Sequence, residues 1–162
     1  MGGFRQLVER GAGFVSQPGA DDVLGRRWLV QQLDVPFIAD ESATTPAEVT
    51  REVLGGSATA LSVKTARTGF TGSQRVLHLA EGLGLEVVMG NQIDSQLGSI
   101  CSVAFGAAHQ RTSQYAGELS NFLDMSDDLL TEPLRIENGE LALRPGAGLG
   151  VERSEEHTSE LQ

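Results

Sequence analysis

The apolar positions of this chain gather in short runs, each ending in a polar residue, with one helix-length amphipathic stretch between successive runs. The runs are AGFVSQ (12–17), VPFIADES (35–42), TALSVKT (59–65), LEVVMGN (85–91) and, more weakly, AGELSN (116–121). Their ends fall near Ser16, Asp40, Lys64, Gly90 and Glu118, at steps of 24, 24, 26 and 28 residues. A strand, a helix and two short connections fill such a step. The pattern therefore predicts five repeated βα units and an α/β fold with a parallel sheet.

The helices carry their own punctuation. Thr45-Pro46-Ala47-Glu48 reads as a capping box with proline at the first helical position, and LGG (54–56) stops that helix. A second pattern runs from about Ser73 to Glu81, with Val76, Leu77 and Ala80 on one face and Gly82 and Gly84 as stops. A third runs from about Ser95 to Gln110 and is rich in small residues (Gly98, Ser99, Ala104, Gly106), which predicts close packing against the sheet. FRQLVERG (4–11) reads as the end of an earlier helix. From 134 to 152 the character changes: Asn138-Gly139 between alternating runs predicts a hairpin, followed by a glycine-rich closing loop.

Composition narrows the partners. With 162 residues the chain suits one domain, and its net charge of −10 argues against nucleic acid or an anionic membrane surface. No run is long and apolar enough for a membrane span, and the amino terminus lacks a signal-peptide core. A single cysteine, Cys101, permits no internal disulfide and fits a reducing, cytoplasmic setting. Residues 153–162 (RSEEHTSELQ) are polar, without apolar period, and read as an adapter-derived, non-native tail, leaving 1–152 as the domain.

The chemistry sits at the strand ends. In parallel α/β folds functional groups collect at the carboxyl ends of strands. Here those ends present Ser16, Asp40 with Glu41, Lys64, the stretch Asn91 to Asp94, and Glu118. Carboxylates beside a lysine suit a hard cation such as Mg²⁺ or Mn²⁺ and proton exchange next to a carboxylate through an enolate. The plainer reading, that such carboxylates cap the next helix or face water, stays open on pattern alone. Other features stay plain. His78 and His109 read as surface or packing residues, Cys101 as core, Trp28 as helix packing, and Asp127 and Asp128 as caps of a short helix. GAGLG (146–150) lacks the strand–helix context of a dinucleotide loop.

Taken in order, PFIADES, the lysine of SVK 24 residues on, GNQIDSQLG, GELSNFLDMSDDLLTEPL and LRPGAGLGVE resemble the enolase superfamily, and within it the muconate-lactonizing (muconate cycloisomerase) group. The resemblance covers nearly all of residues 1–152 and implies a partial (β/α)₈ barrel: about its last five strands, with a closing carboxyl-terminal segment. It implies Asp40 as a metal ligand, Lys64 as general acid/base, and Glu118 as an acid bonding the substrate carboxylate or enolate. It implies Glu41, Asn91 and Asp94 as pocket residues, Mg²⁺ or Mn²⁺ as cofactor, a small carboxylate substrate, and a homo-oligomer.

Two departures matter. FVSQPG carries Ser16 where the family has a metal-ligating glutamate, and KTAR places Arg67 where a second lysine is common. The family's upstream metal-ligating aspartate, its second-strand lysines and its capping domain have no counterpart in 1–162, so a metal site incomplete in this chain is expected. Three functions remain in view: muconate cycloisomerisation; another enolate activity (dipeptide epimerase, N-acylamino-acid racemase, o-succinylbenzoate synthase, sugar-acid dehydratase); or an inactive fragment.

Overall fold

A computed structural model describes residues 6, 9–17, 22–126 and 129–154. The chain alternates strand and helix: β1 (Val15–Ser16), α1 (Val23–Gln32), β2 (Phe37–Ala39), α2 (Pro46–Gly55), β3 (Ala60–Val63), α3 (Thr65–Gly82), β4 (Glu86–Met89) and α4 (Gln96–Ala107). A hairpin of β5 (Ile136–Glu137) and β6 (Glu140–Leu141) follows. One sheet has the order β1-β2-β3-β4. β1 pairs parallel with β2, placing Val15 opposite Phe37 and Ser16 opposite Ile38, and β2 pairs parallel with β3, placing Ile38 opposite Ala60. The predicted α/β class and parallel pairing are present. The chain divides into two compact units, Met1–Val63 with Thr68–Val88, and Lys64–Arg67 with Met89–Gln162.

The first unit is built around two largely apolar strands, β2 and β3. Phe37, Ile38 and Ala39 are all buried, as are Ala60, Leu61 and Val63 on either side of the half-buried Ser62, a near-continuous apolar pattern that suits strands covered on both faces. Val49 of α2 and Val76, Leu77 and Ala80 of α3 are buried as well. That is the helix face the apolar spacing predicts. The capping box forms: the Thr45 hydroxyl accepts from the Glu48 amide at 3.3 Å, and the Glu48 carboxylate accepts from the Thr45 amide at 2.9 Å. α1 is capped by Asp22, whose Oδ1 accepts from the Gly25 amide at 2.7 Å. α3 starts earlier than the predicted Ser73, at Thr65, and breaks at Gly69, whose φ of 65° only glycine adopts without strain.

The second unit carries its own apolar cluster, Ile100, Phe122, Leu130 and Leu134, with Leu97, Val103 and Leu141 against it. α4 opens on Ser95, whose hydroxyl accepts from the Gly98 amide. Its small residues serve the packing the composition predicted: a Cβ at Gly106 would lie 3.0 Å from Met89 Cγ. The predicted hairpin is present, with Asn138 and Gly139 at φ 53° and 80°, the left-handed pair that a two-residue turn between twisted strands requires. Arg153 bridges Leu130, and the Ser154 amide donates to the Leu129 carbonyl at 2.7 Å.

One expectation is corrected. The fifth run, 116–121, forms no strand. Among the described residues its sheet-like bond is from the Glu118 amide to the Met89 carbonyl at 2.9 Å. Gly117 and the absence of β-branched residues give it little to hold a ladder with. Trp28, read as helix packing, is 46% exposed on α1. His78 is exposed, and His109 packs against Phe105 with ring centroids 4.7 Å apart, as read from their positions. Asp127 and Asp128 lie outside the described residues. Among the described residues no helix is long and apolar enough to cross a membrane.

Candidate functional site

β2 and β3 are parallel neighbours and therefore end at the same sheet edge. Asp40 is the residue after β2 and Lys64 the residue after β3. Ser16 closes β1, and Asn91 to Asp94 follow β4. The strand-end placement read from the sequence is thus present for each of these residues.

In the first unit Asp40 is 8% exposed, whereas Glu41 and Ser16 are exposed. The turn that carries Asp40 is closed by the Ala43 amide, which donates to the Asp40 carbonyl at 3.1 Å. The residue after Ser16 reaches across it. Gln17 Oε1 accepts from the Asp40 amide at 2.6 Å, from the Ser42 amide at 3.2 Å and from the Ser42 hydroxyl at 3.0 Å. Sequence reading passed over Gln17, because a glutamine at a strand end carries no pattern of its own.

The same unit holds a buried ion pair. Arg26 of α1 and Glu52 of α2 are 1% and 2% exposed, and Arg26 Nη2 lies 2.8 Å from both carboxylate oxygens. The Ser57 hydroxyl also donates to Glu52. Burial pushes the Glu52 carboxyl up, but the hydrogen bonds from Ser57, Arg26 and Ser42, with the charge of Arg26, outweigh it and hold the group below its ordinary value.

In the second unit Lys64 is 8% exposed and heads a four-residue segment fastened at two points. The Thr65 and Ser102 hydroxyls are 2.7 Å apart, and Arg67 Nε donates to Gln92 Oε1 at 2.7 Å. This joins the lysine's segment to the loop after β4. In that loop the Asp94 amide donates to Asn91 Oδ1 at 2.8 Å, Asn91 Nδ2 donates to the Ser99 hydroxyl at 3.2 Å, and Asp94 Oδ2 accepts from the Gln92 amide at 3.2 Å. Asn91 and Asp94 are buried and hold the loop's shape, while Glu118 is exposed. Cys101 is half-buried; burial pushes its thiol up, and the charge of Asp94 adds to the shift. Ile93 sits inside this loop at φ 56° and is 78% exposed, an unusual backbone for a β-branched residue.

A cavity of about 460 Å³ in the second unit is lined by Met89, Ser102, Val103, Thr112, Leu119 and Ile136, among others. None of the strand-end site residues lines it.

The fit to a divalent cation can be tested on the donors. A hard cation takes six or more oxygens, with carboxylates prominent among them. Among the described residues no three or more His, Cys, Asp and Glu side chains gather to hold a metal. Asp40 offers one buried carboxylate and Ser16 an exposed neutral hydroxyl. By itself this donor set does not fit Mg²⁺ or Mn²⁺.

Comparison with known proteins gives a consistent picture. The family pattern described as "Enolase C-terminal domain-like" matches residues 3–157. Muconate cycloisomerase 1 of Rhodococcus opacus is 32% identical over 149 residues, covering 91% of this chain and 40% of that protein. L-Ala-D/L-Glu epimerase of Bacillus subtilis (strain 168) is 24% identical over 151 residues, covering 91% of this chain and 41% of that protein. Among solved structures, the muconate lactonizing enzyme from Mucobacterium Smegmatis superposes with a TM-score of 0.92 at 64% identity, covering 97% of this chain and 44% of that one; that enzyme has also been crystallised with muconolactone. The chain spans about 40% of the length of the curated relatives it matches. It belongs to the enolase C-terminal domain-like family.

Proposed function

We propose that the protein carrying this chain is a cycloisomerase that converts cis,cis-muconate to muconolactone through an enolate. The observation that carries the reading is Lys64, a buried lysine directly after a strand of a parallel sheet, in a segment held by the Thr65–Ser102 and Arg67–Gln92 bonds. The 64% identity to a muconate lactonizing enzyme supports the choice of substrate.

In this reading one carboxylate oxygen of muconate adds to the conjugated double bond and closes the lactone ring. The electron pair of that double bond moves toward the second carboxylate as an enolate. Lys64, as an ammonium, delivers a proton to the enolate carbon and ends neutral, recharging from solvent. Glu118 bonds the substrate carboxylate through water, and Asn91 with Asp94 shapes the loop beside Lys64. Asp40 is the residue of this chain suited to hold Mg²⁺ or Mn²⁺, once further ligands are supplied from outside the described residues.

The second reading is proton exchange at the carbon beside a carboxylate, as in an epimerase or racemase; the epimerase relative at 24% identity favours it. Both use the same lysine, so the substrate decides. The test is to assay the whole protein with cis,cis-muconate, and separately to follow deuterium uptake from D₂O into dipeptides and N-acylamino acids. Lactone formation is expected, and Lys64→Ala is expected to lower kcat by roughly 10²–10⁴-fold. Deuterium uptake with no lactone would replace the first reading by the second.

A further inference from the structure

We infer that Gln17 is a positioning residue: its side-chain oxygen clamps the turn that presents Asp40, and so sets the direction of that carboxylate. This rests on the reading that Asp40 acts in the site. Three donors converge on one oxygen, the Asp40 amide at 2.6 Å, the Ser42 amide at 3.2 Å and the Ser42 hydroxyl at 3.0 Å. Two of them are backbone amides, so the group facing them must be the acceptor end of the glutamine. The two amides bracket Glu41, and with the Ala43-to-Asp40 bond at 3.1 Å they leave the turn little freedom.

Gln17 is itself fixed. Its amide donates to the Ile38 carbonyl at 3.0 Å, extending the β1–β2 ladder by one step. The clamp therefore transmits the position of β1 to the end of β2. The far end of the same side chain shows that this arrangement is not simply the easiest to pack. Among the described residues Gln17 Nε2 is buried with no hydrogen-bond partner. Leaving a buried donor unmet costs stability, and an apolar side chain would avoid that cost but could not hold the turn.

Ser42 links the clamp to the Arg26–Glu52 pair. Its hydroxyl donates to Gln17 Oε1 at 3.0 Å, and a hydrogen bond from Ser42 is also among the causes that hold the Glu52 carboxyl below its ordinary value. The Asp40 turn is thus held from the sheet by Gln17.

The experiment compares Gln17→Leu, Gln17→Glu and Asp40→Asn in the whole protein, measuring the thermal midpoint, kcat and KM for muconate. Gln17→Leu is expected to lower kcat about tenfold to a hundredfold, the usual loss when a residue orienting a ligand is removed, with KM changed by less than about twofold. Gln17→Glu, which keeps the acceptor oxygen, is expected to restore most of that kcat. The inference is overturned if Gln17→Leu shifts only the thermal midpoint, or if Gln17→Glu is as impaired as Gln17→Leu. If Gln17→Leu does not fold, Ser42→Ala takes its place, removing one bond and leaving both amides. A fall in kcat of about fivefold, one hydrogen bond's worth, supports the clamp, and an unchanged kcat overturns it. Asp40→Asn separates the two claims. Full activity in that variant removes the reading of Asp40, whereas an inactive Asp40→Asn beside an unaffected Gln17→Leu removes only the clamp.

Discussion

At the scale of single residues, Asp40 and Ser16 differ in what each could offer a cation under the proposed function. Both stand at strand ends, but one brings a charge and the other a neutral hydroxyl. Affinity for a hard divalent cation rises with the number of charged oxygen ligands. Ser16→Glu is therefore expected to tighten Mn²⁺ binding by about tenfold, read by calorimetric titration of the whole protein against wild type. Unchanged affinity would mean that position 16 does not reach the cation. Ile93 offers a separate residue-scale test. A β-branched side chain at φ 56° pays a steric penalty that glycine does not, partly offset by glycine's greater freedom when unfolded. Ile93→Gly is expected to raise unfolding stability by about 0.5–1 kcal/mol in a denaturant titration. A loss of stability would show that Ile93 is held by packing rather than strained.

At the scale of elements, Thr45 shows how much one local motif contributes. Its hydroxyl and the Glu48 carboxylate satisfy each other's free amides at the head of α2. Thr45→Ala is expected to cost about 1 kcal/mol in the same titration, and a cost near zero would mean that tertiary packing alone fixes the helix start. That cap was legible because both partners lie within four residues. So were β2, β3, β4 and the hairpin, whose residues either form largely apolar runs or sit on Asn-Gly. The strand ends bearing Asp40 and Lys64 were legible from the apolar runs before them. The stretch around Glu118 misled because its sheet contact is a single amide bond to Met89, and pairing across nearly thirty residues leaves no local trace. The helical start at Thr65 was hidden by Gly69, which breaks the periodicity that would have marked it. Gln17 was illegible for a different reason. Its three acceptor contacts reach 23 and 25 residues along the chain, and only the parallel pairing of β1 and β2 brings them together.

At the scale of the whole molecule, net charge and buried charge act differently on stability. The −10 total is spread over surface groups that salt screens, whereas Glu52 is buried beside Arg26 and is screened little. Removing one partner of such a pair leaves a buried charge unmet, a loss of about 3–5 kcal/mol. Because folding depresses the Glu52 carboxyl, its contribution is present above the unfolded-chain value near 4.5 and is lost as pH falls through the lower folded value. A protonated glutamate resembles a glutamine in shape and charge, so Glu52→Gln mimics the acid form at every pH. Thermal midpoints measured from pH 7 down to pH 3 should therefore show wild type well above Glu52→Gln at neutral pH, with the gap narrowing below about pH 4.5. Glu48, whose carboxyl is held low mainly by the Thr44 hydroxyl, titrates in the same window and keeps its effect in both proteins. The narrowing gap therefore isolates Glu52, and two parallel curves would show that the pair is not what acid breaks.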